Sequence, residues 1–370
     1  MSSSIGKRLV LTSFGESHGK CIGTVLDGCP AGLKLDEKDI QPMLNWRRPG
    51  QSVITTQRRE GDVAEILSGT FRGKTTGAPI AVIIWNKDKD SRAYDDLVDT
   101  LRPGHADYPA MVKYSKYNDW RGGGRFSGRL TATHIMGGAI ARKLLAQTLK
   151  VKTDSYVIQI GEYAMPESNT TPSQKKIYST DTRCPHVKTA SDMKKTILDA
   201  KKNGDSLGGI VKSVTSGVPV GLGEPIFDSI ESEVAKAIYS IPSVKGIEFG
   251  SGFAGSSSTG SKNNDIYKID SRKKIITKTN NSGGILGGLS IGMPIVMNIA
   301  FKPVSSISMR QRSVKMSTKK SIDLYIKGRH DPCVVPRAPP IVDALVSLSL
   351  ADLAIRGGFI PQVIHSHGQD

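Results

Sequence analysis

Two stretches of this chain are apolar on almost every face. Residues 130–149 carry Leu130, Ile135, Met136, Ala139, Ile140, Leu144 and Leu145 at helical spacing, an arc wide enough for a buried helix. IVDALVSLSLADLAIRGG, from Ile341, follows the same pattern. Prolines just ahead of it suit a helix start, and Gly357 suits its end. Elsewhere apolar residues alternate, as in PIAVIIW from Pro79 and PIVMNIAF from Pro294, and these predict strands.

The same patterns occur twice. GESHGKCIGTVLDGCPAGL, from Gly15, aligns without a gap on GDSLGGIVKSVTSGVPVGL, from Gly204, and each precedes a helical pattern. At a second constant offset, GTFRGKTTGAPIAVIIWNK, from Gly69, aligns on GILGGLSIGMPIVMNIAFK, from Gly284. Two ungapped matches in one order predict a single domain over residues 1–370 of α+β class. Its internally duplicated strand–helix–strand halves, about 1–150 and 204–360, are expected to place central helices between antiparallel sheets. The polar, lysine-rich segment of about 151–203 is expected to be a surface connection ending in a helix. One difference between the copies points to chemistry: His18 of GESHG faces Leu207 of GDSLG. The turn folds without an imidazole, so His18 is not there for the backbone.

Charge narrows the partner. A net charge of +17 over 370 residues calls for an anion: nucleic acid, a membrane surface or a small polyanionic substrate. The arginines lie beside glycine turns and histidines rather than along one helix face. That favours a pocket over a nucleic-acid surface, despite the nearby Tyr114, Tyr117 and Trp120. No apolar run approaches membrane-spanning length, the N-terminus lacks a signal core, and the four cysteines have neither disulfide nor zinc spacing. A soluble, cytoplasmic protein with no nucleic-acid or membrane partner is expected.

The candidate chemistry falls into clusters. RGGGRFSGR offers Arg121, Arg125, Ser127 and Arg129 around a glycine turn leading into the first apolar helix, where free backbone N–H groups and the helix dipole would attract a polyanion. Ser17 and His18 pair a hydroxyl with an imidazole, and RPGHAD contains Arg102, His105 and Asp107. Arg47, Arg48, Arg58 and Arg59 are suited to clamping carboxylates or phosphate. RHDPCVVPR adds Arg329, His330, Asp331 and Arg337. There is no zinc-ligand constellation and no GxSxG elbow. Imidazoles, a hydroxyl and a carboxylate amid arginines suggest proton transfer on a small polyanion.

At these residues the chain resembles the chorismate synthases. The resemblance runs through FGESHG at 14–19, RRPGQS at 47–52, TTQRRE at 55–60, RPGHAD at 102–107, RGGGRFSGR at 121–129, GDSLGG at 204–209, GSGFAG at 250–255, NNSGGILGG at 280–288 and RHDPCVVPR at 329–337. It implies a lyase converting 5-enolpyruvylshikimate 3-phosphate to chorismate and phosphate by anti-1,4-elimination, the last step of the shikimate pathway. Reduced FMN is required although there is no net redox change. A β-α-β sandwich and a homotetramer are implied as well.

Carried onto this chain, the resemblance assigns His18 to the leaving phosphate and His105 to the reduced flavin. Asp331, with Ser17 as relay, would assist proton removal at flavin N5. Arg47, Arg48, Arg58 and Arg129 would hold the substrate, with Arg121, Arg125 and Arg337 as further candidates. Ser127, Gly288, Lys302, Ser305, Ser306 and Arg329 would meet the cofactor, and no metal is implied. The large insertions of bifunctional relatives are missing, so reduced FMN is expected from a separate flavin reductase or other electron donor. Leu130 stands where many relatives have Glu, and Trp46 and Pro109 are further departures. The competing enzyme reading is a flavin protein acting on another phosphorylated metabolite.

Overall fold

The structure, a computed structural model, describes residues 2–56, 61–87, 98–168, 170–326 and 330–365. Two long helices, Thr131–Thr148 and Pro339–Arg356, pack against each other in the middle layer. One antiparallel sheet runs in the order Ser4–Ile5, Val10–Gly15, Cys21–Asp27, Ile80–Trp85, Glu65–Ile66. The other runs Tyr163–Ala164, Lys152–Ile160, Gly209–Ser216, Ile295–Phe301, Val244–Phe249. Strands Cys21–Asp27 and Gly209–Ser216 hold the same place in the two sheets, as do Ile80–Trp85 and Ile295–Phe301. These are the strands that the two sequence matches superimpose, so the repeat in the sequence is a repeat in strand order.

The helix Thr131–Thr148 packs on the first sheet through Val10–Gly15 and Cys21–Asp27. Pro339–Arg356 packs on the second through Lys152–Ile160 and Gly209–Ser216. Every residue from Pro339 to Ala354 is buried, which explains a sequence apolar all round. Gly138 allows the two helix backbones to touch: a Cβ there would lie 2.6 Å from the carbonyl carbon of Ala344. Truncating a fully buried side chain of this layer, such as Leu348 or Ile135, to alanine would cost about 2–5 kcal/mol through lost burial and the cavity left behind.

Two shorter helices, Glu37–Arg47 and Ile230–Ile238, also pack on the central pair. The first is started by a capping box. Asp36 accepts from the Lys38 N–H at 2.9 Å, and Asp39 accepts from the Asp36 N–H at 3.0 Å. This helix delivers Arg47 from its last turn to the interior.

The segment expected to cross the surface begins instead with a sheet strand, Lys152–Ile160. Its polar residues hid it. Thr153, Asp154 and Ser155 are buried; Thr153 shares a 3.0 Å hydroxyl hydrogen bond with Thr215 on the neighbouring strand, and Asp154 faces Arg142 at 3.6 Å. The helix expected at the end of the segment is Val187–Lys202. Among the described residues, no helix is long and apolar enough to cross a membrane.

Candidate active site

The turn Arg121–Phe126 separates two imidazoles. Gly122, Gly123 and Gly124 have φ of 58°, 82° and 51°, values open to glycine at little cost. A Cβ on Gly122 would lie 2.5 Å from Nε2 of His18 and 2.9 Å from Oγ of Ser17, whereas one on Gly123 would lie 3.5 Å from Nε2 of His105. Two amides here are engaged: Gly123 N–H donates to Trp120 O at 3.1 Å and Ser127 N–H to Gly124 O at 3.4 Å. The α-helix starts only at Thr131, after the short turn Gly128–Leu130. The glycine turn is therefore set off from the α-helix by one short 3-10 turn rather than feeding its first turn directly.

His105 is held from behind. Its Nδ1 lies 2.6 Å from Oδ1 of Asp107 and 3.1 Å from Nη2 of Arg102. A guanidinium only donates and a carboxylate accepts, so the shorter contact decides the tautomer: Nδ1 carries a proton toward Asp107. Nε2 is left on the side of Gly123. Arg102 grips the same carboxylate through Nε at 2.8 Å and Nη2 at 2.7 Å. Burial pushes the Asp107 carboxyl up, but the bonds from Arg102 and His105 outweigh it and hold the group well below the usual carboxylate range.

Opposite lies a cluster of arginines and acids. Arg47, 1% exposed, donates from Nη1 to Oδ2 of Asp62 at 2.8 Å, from Nε to the Thr131 hydroxyl at 3.1 Å and from Nη2 to Gly128 O at 2.9 Å. Arg129 donates from Nη1 to Oδ1 of Asp62, and from Nε and Nη2 to Oδ1 of Asn86, each at 3.1 Å. Burial would raise the pKa of Asp62, but Arg47 and Arg129 pull it below its ordinary value. Asp331 accepts from Arg337 Nη1 and from the Thr56 N–H at 2.8 Å, while Arg337 Nε donates to the carbonyl of Arg47 at 2.9 Å.

Arg47, Arg102, His105, Arg129, Asp331 and Arg337 line one cavity of about 540 Å³, with Asp62, Asn86 and Asp107 behind them. Of the residues singled out from the sequence, Arg47, His105, Arg125, Ser127, Arg129, Lys302, Ser305, Ser306, Asp331 and Arg337 line it. Ser17 and His18 are buried directly behind its wall. Gly122 backs onto both, and the hydroxyl of Ser127 donates to that of Ser17 at 3.2 Å.

Three other candidates lie off this cavity. Arg48 is exposed at the end of its helix, and Arg121 is paired at the surface with Asp119. Gly288 packs on Ser229, the N-cap of Ile230–Ile238, so its glycine serves a backbone crossing within the fold. Arg58 and Arg329 lie outside the described residues.

The sequence reading missed Asp62, Asn86 and the 239–243 turn. That turn closes the cavity at the end of helix Ile230–Ile238, as Arg47 and Pro49 do at the end of helix Glu37–Arg47. The duplication held that signal.

The family model of chorismate synthase matches residues 9–355. The chain belongs to the chorismate synthase family. It is 49% identical over 364 residues to the chorismate synthase of Dehalococcoides mccartyi, covering 98% of this chain and 100% of that protein. It is 48% identical over 372 residues to the chorismate synthase of Methanocaldococcus jannaschii, covering 97% of this chain and 98% of the relative. A crystal structure of a chorismate synthase superposes with a TM-score of 0.73 at 29% identity, covering 95% of this chain and 93% of the other. The chain is thus an enzyme of the chorismate synthase family, a lyase, and its α+β fold is that of the family.

Proposed function

We propose that this lyase converts 5-enolpyruvylshikimate 3-phosphate to chorismate and phosphate by anti-1,4-elimination, with reduced FMN in the same cavity. One observation carries the reading: His105, Asp331, Arg47, Arg129 and Arg337 converge on a single recess, with His18 one glycine behind its wall. The site suits a flavin mononucleotide. Lys302, Ser305, Ser306, Arg125 and Ser127 offer cations and hydroxyls for a phosphate, and Phe126, Val304 and Ile341 offer apolar surface for a ring. Gly104 keeps the approach to Lys302 and Ser305 open, because a Cβ there would stand 3.3 Å from Ser305 Cβ and 3.7 Å from Lys302 Nζ. Reduced FMN, when bound, supplies the electron density that eases phosphate loss from an allylic carbon and recovers it as hydrogen departs.

The protein's own groups place and move protons. Arg47, Arg129 and Arg337, whose own side chains are largely buried, hold the anionic groups of the substrate through charge-assisted bonds. His18 donates a proton to the departing phosphate. His105, fixed by Asp107, presents Nε2 to the cofactor side. Asp331, fixed by Arg337 and the Thr56 N–H, would assist proton removal at N5 of the bound flavin, with Ser17 as relay. On the same reading the enzyme is a cytoplasmic homotetramer that receives reduced FMN from a separate flavin reductase. The free thiols of Cys21, Cys29, Cys184 and Cys333 are in keeping with a reducing compartment.

The test is anaerobic. Protein, substrate and photoreduced FMN are mixed, and chorismate absorbance and phosphate release are followed together. Equal amounts of both products are expected. Folded protein that yields neither would defeat the reading, and NAD(P)H-dependent flavin reduction by pure protein would remove the separate donor.

A further inference from the structure

Asp62 belongs to none of the motifs that led to the cavity, yet it ties two of its guanidiniums together. Its carboxylate is 2% exposed, and its backbone sits at φ 43°, in the left-handed region that a residue with a Cβ enters at a cost. Oδ2 accepts from Arg47 and Oδ1 from Arg129. The two arginines reach it from the end of helix Glu37–Arg47 and from the turn Gly128–Leu130. Both guanidiniums are braced on their far sides, Arg47 by Gly128 O and the Thr131 hydroxyl, Arg129 by Asn86. Like charges at this depth repel strongly because little water screens them. The acid that bridges the pair therefore fixes their separation.

We propose that Asp62 is a positioning residue for anion binding: by bridging Arg47 and Arg129 it sets the spacing and orientation with which the two guanidiniums meet the substrate's anionic groups. The identity of that substrate rests on the function proposed above; the bridge does not. Charge and geometry act in opposite directions here, which makes the proposal testable by sign. Removing a negative charge makes the cavity more positive and, by charge alone, tightens an anion. Losing the bridge lets the guanidiniums part and loosens it. Positioning requires the second outcome.

The experiment uses Asp62→Asn in the full-length chain, which keeps size and one accepting oxygen but removes the charge. KM for 5-enolpyruvylshikimate 3-phosphate is expected to rise by about tenfold or more, with a smaller fall in kcat. The dissociation constant for inorganic phosphate, measured by calorimetry without substrate, should rise with it. Values equal to or below those of the wild type would overturn the proposal.

Should Asp62→Asn fail to fold by circular dichroism, Asp62→Glu decides, because it keeps the charge and shifts the bridge by one methylene. A raised KM supports positioning, and a wild-type KM refutes it. In an Arg129→Gln background, Asp62→Asn should cost clearly less than it does alone, whereas fully additive losses would refute action through Arg129. A wild-type enzyme that binds phosphate but forms no chorismate would sink the substrate reading alone, leaving phosphate affinity to judge Asp62.

Discussion

Gly122 lies against the imidazole of His18 with no room for a side chain between them: a Cβ on the glycine would stand 2.5 Å from Nε2. At φ 58° the backbone there also disfavours any residue but glycine. Gly122→Ala should therefore push His18 back and open the turn. Turnover is expected to fall by about 10²-fold or more, the scale of losing a proton-transfer group, with a stability loss of about 1–3 kcal/mol. Steady-state kinetics beside a thermal melt would check both, and wild-type turnover in a folded variant would detach His18 from the chemistry.

His105 depends on a residue that touches it only from behind. Asp107→Asn replaces an acceptor for the Nδ1 proton with a group able to present a donor, freeing the opposite tautomer. A fall in kcat approaching that of His105→Ala is expected, with a shifted pH–rate profile. The profile distinguishes orientation from mere packing, since a structural loss would lower activity without moving its pH dependence.

Three buried or half-buried acids divide into two opposite responses to pH. Asp343, on the second central helix, is pushed up to about 7 by burial, which the nearby Arg142 only partly offsets. A carboxyl whose folded pKa lies above its unfolded value of about 3.9 favours folding while it remains protonated. Its contribution should weaken as pH rises from about 4 to about 7, by an amount on the order of 1–4 kcal/mol. Asp343→Asn should flatten that part of the stability curve and raise the melting temperature at neutral pH. Parallel curves for variant and wild type would refute this.

Asp107 and Asp62 show the reverse sign. Both carboxyls are held below their unfolded values by neighbouring cations. Their contribution is complete above about pH 4 and is lost as pH falls through the lower folded values. Acid titration monitored by intrinsic fluorescence should show a shallower stability loss below about pH 4 in Asp107→Asn than in the wild type. An unchanged acid limb would show that the charge on Asp107 contributes nothing to the fold.

What was legible in the sequence was whatever repeats or carries a local pattern. The two central helices announced themselves by uniform apolarity bounded by proline or glycine, and their packed positions explain that composition. Four strands came from two alignments of the chain on itself. Lys152–Ile160 stayed hidden because it buries polar residues whose partners, Thr215 for Thr153 and Arg142 for Asp154, come from a neighbouring strand and a central helix rather than from local sequence. Asp62 was invisible for a related reason: its partners lie 15 and 67 residues away, and no spacing rule joins them. Gly288 shows a second reason for a glycine that a motif does not reveal. A glycine-rich motif marked it for a ligand, but its backbone serves a crossing next to Ser229.

The wall that carries Asp331, Arg337 and Ile341 belongs to the segment running into the last long helix, while the wall facing it begins at Arg47. A ribosome making this protein therefore completes this recess only after residues 331–341 have been added. Until then Arg47 and Arg129 have neither Arg337 nor the second central helix beside them. Chains that stop short of Ile341 should thus be inert, however well the first half folds.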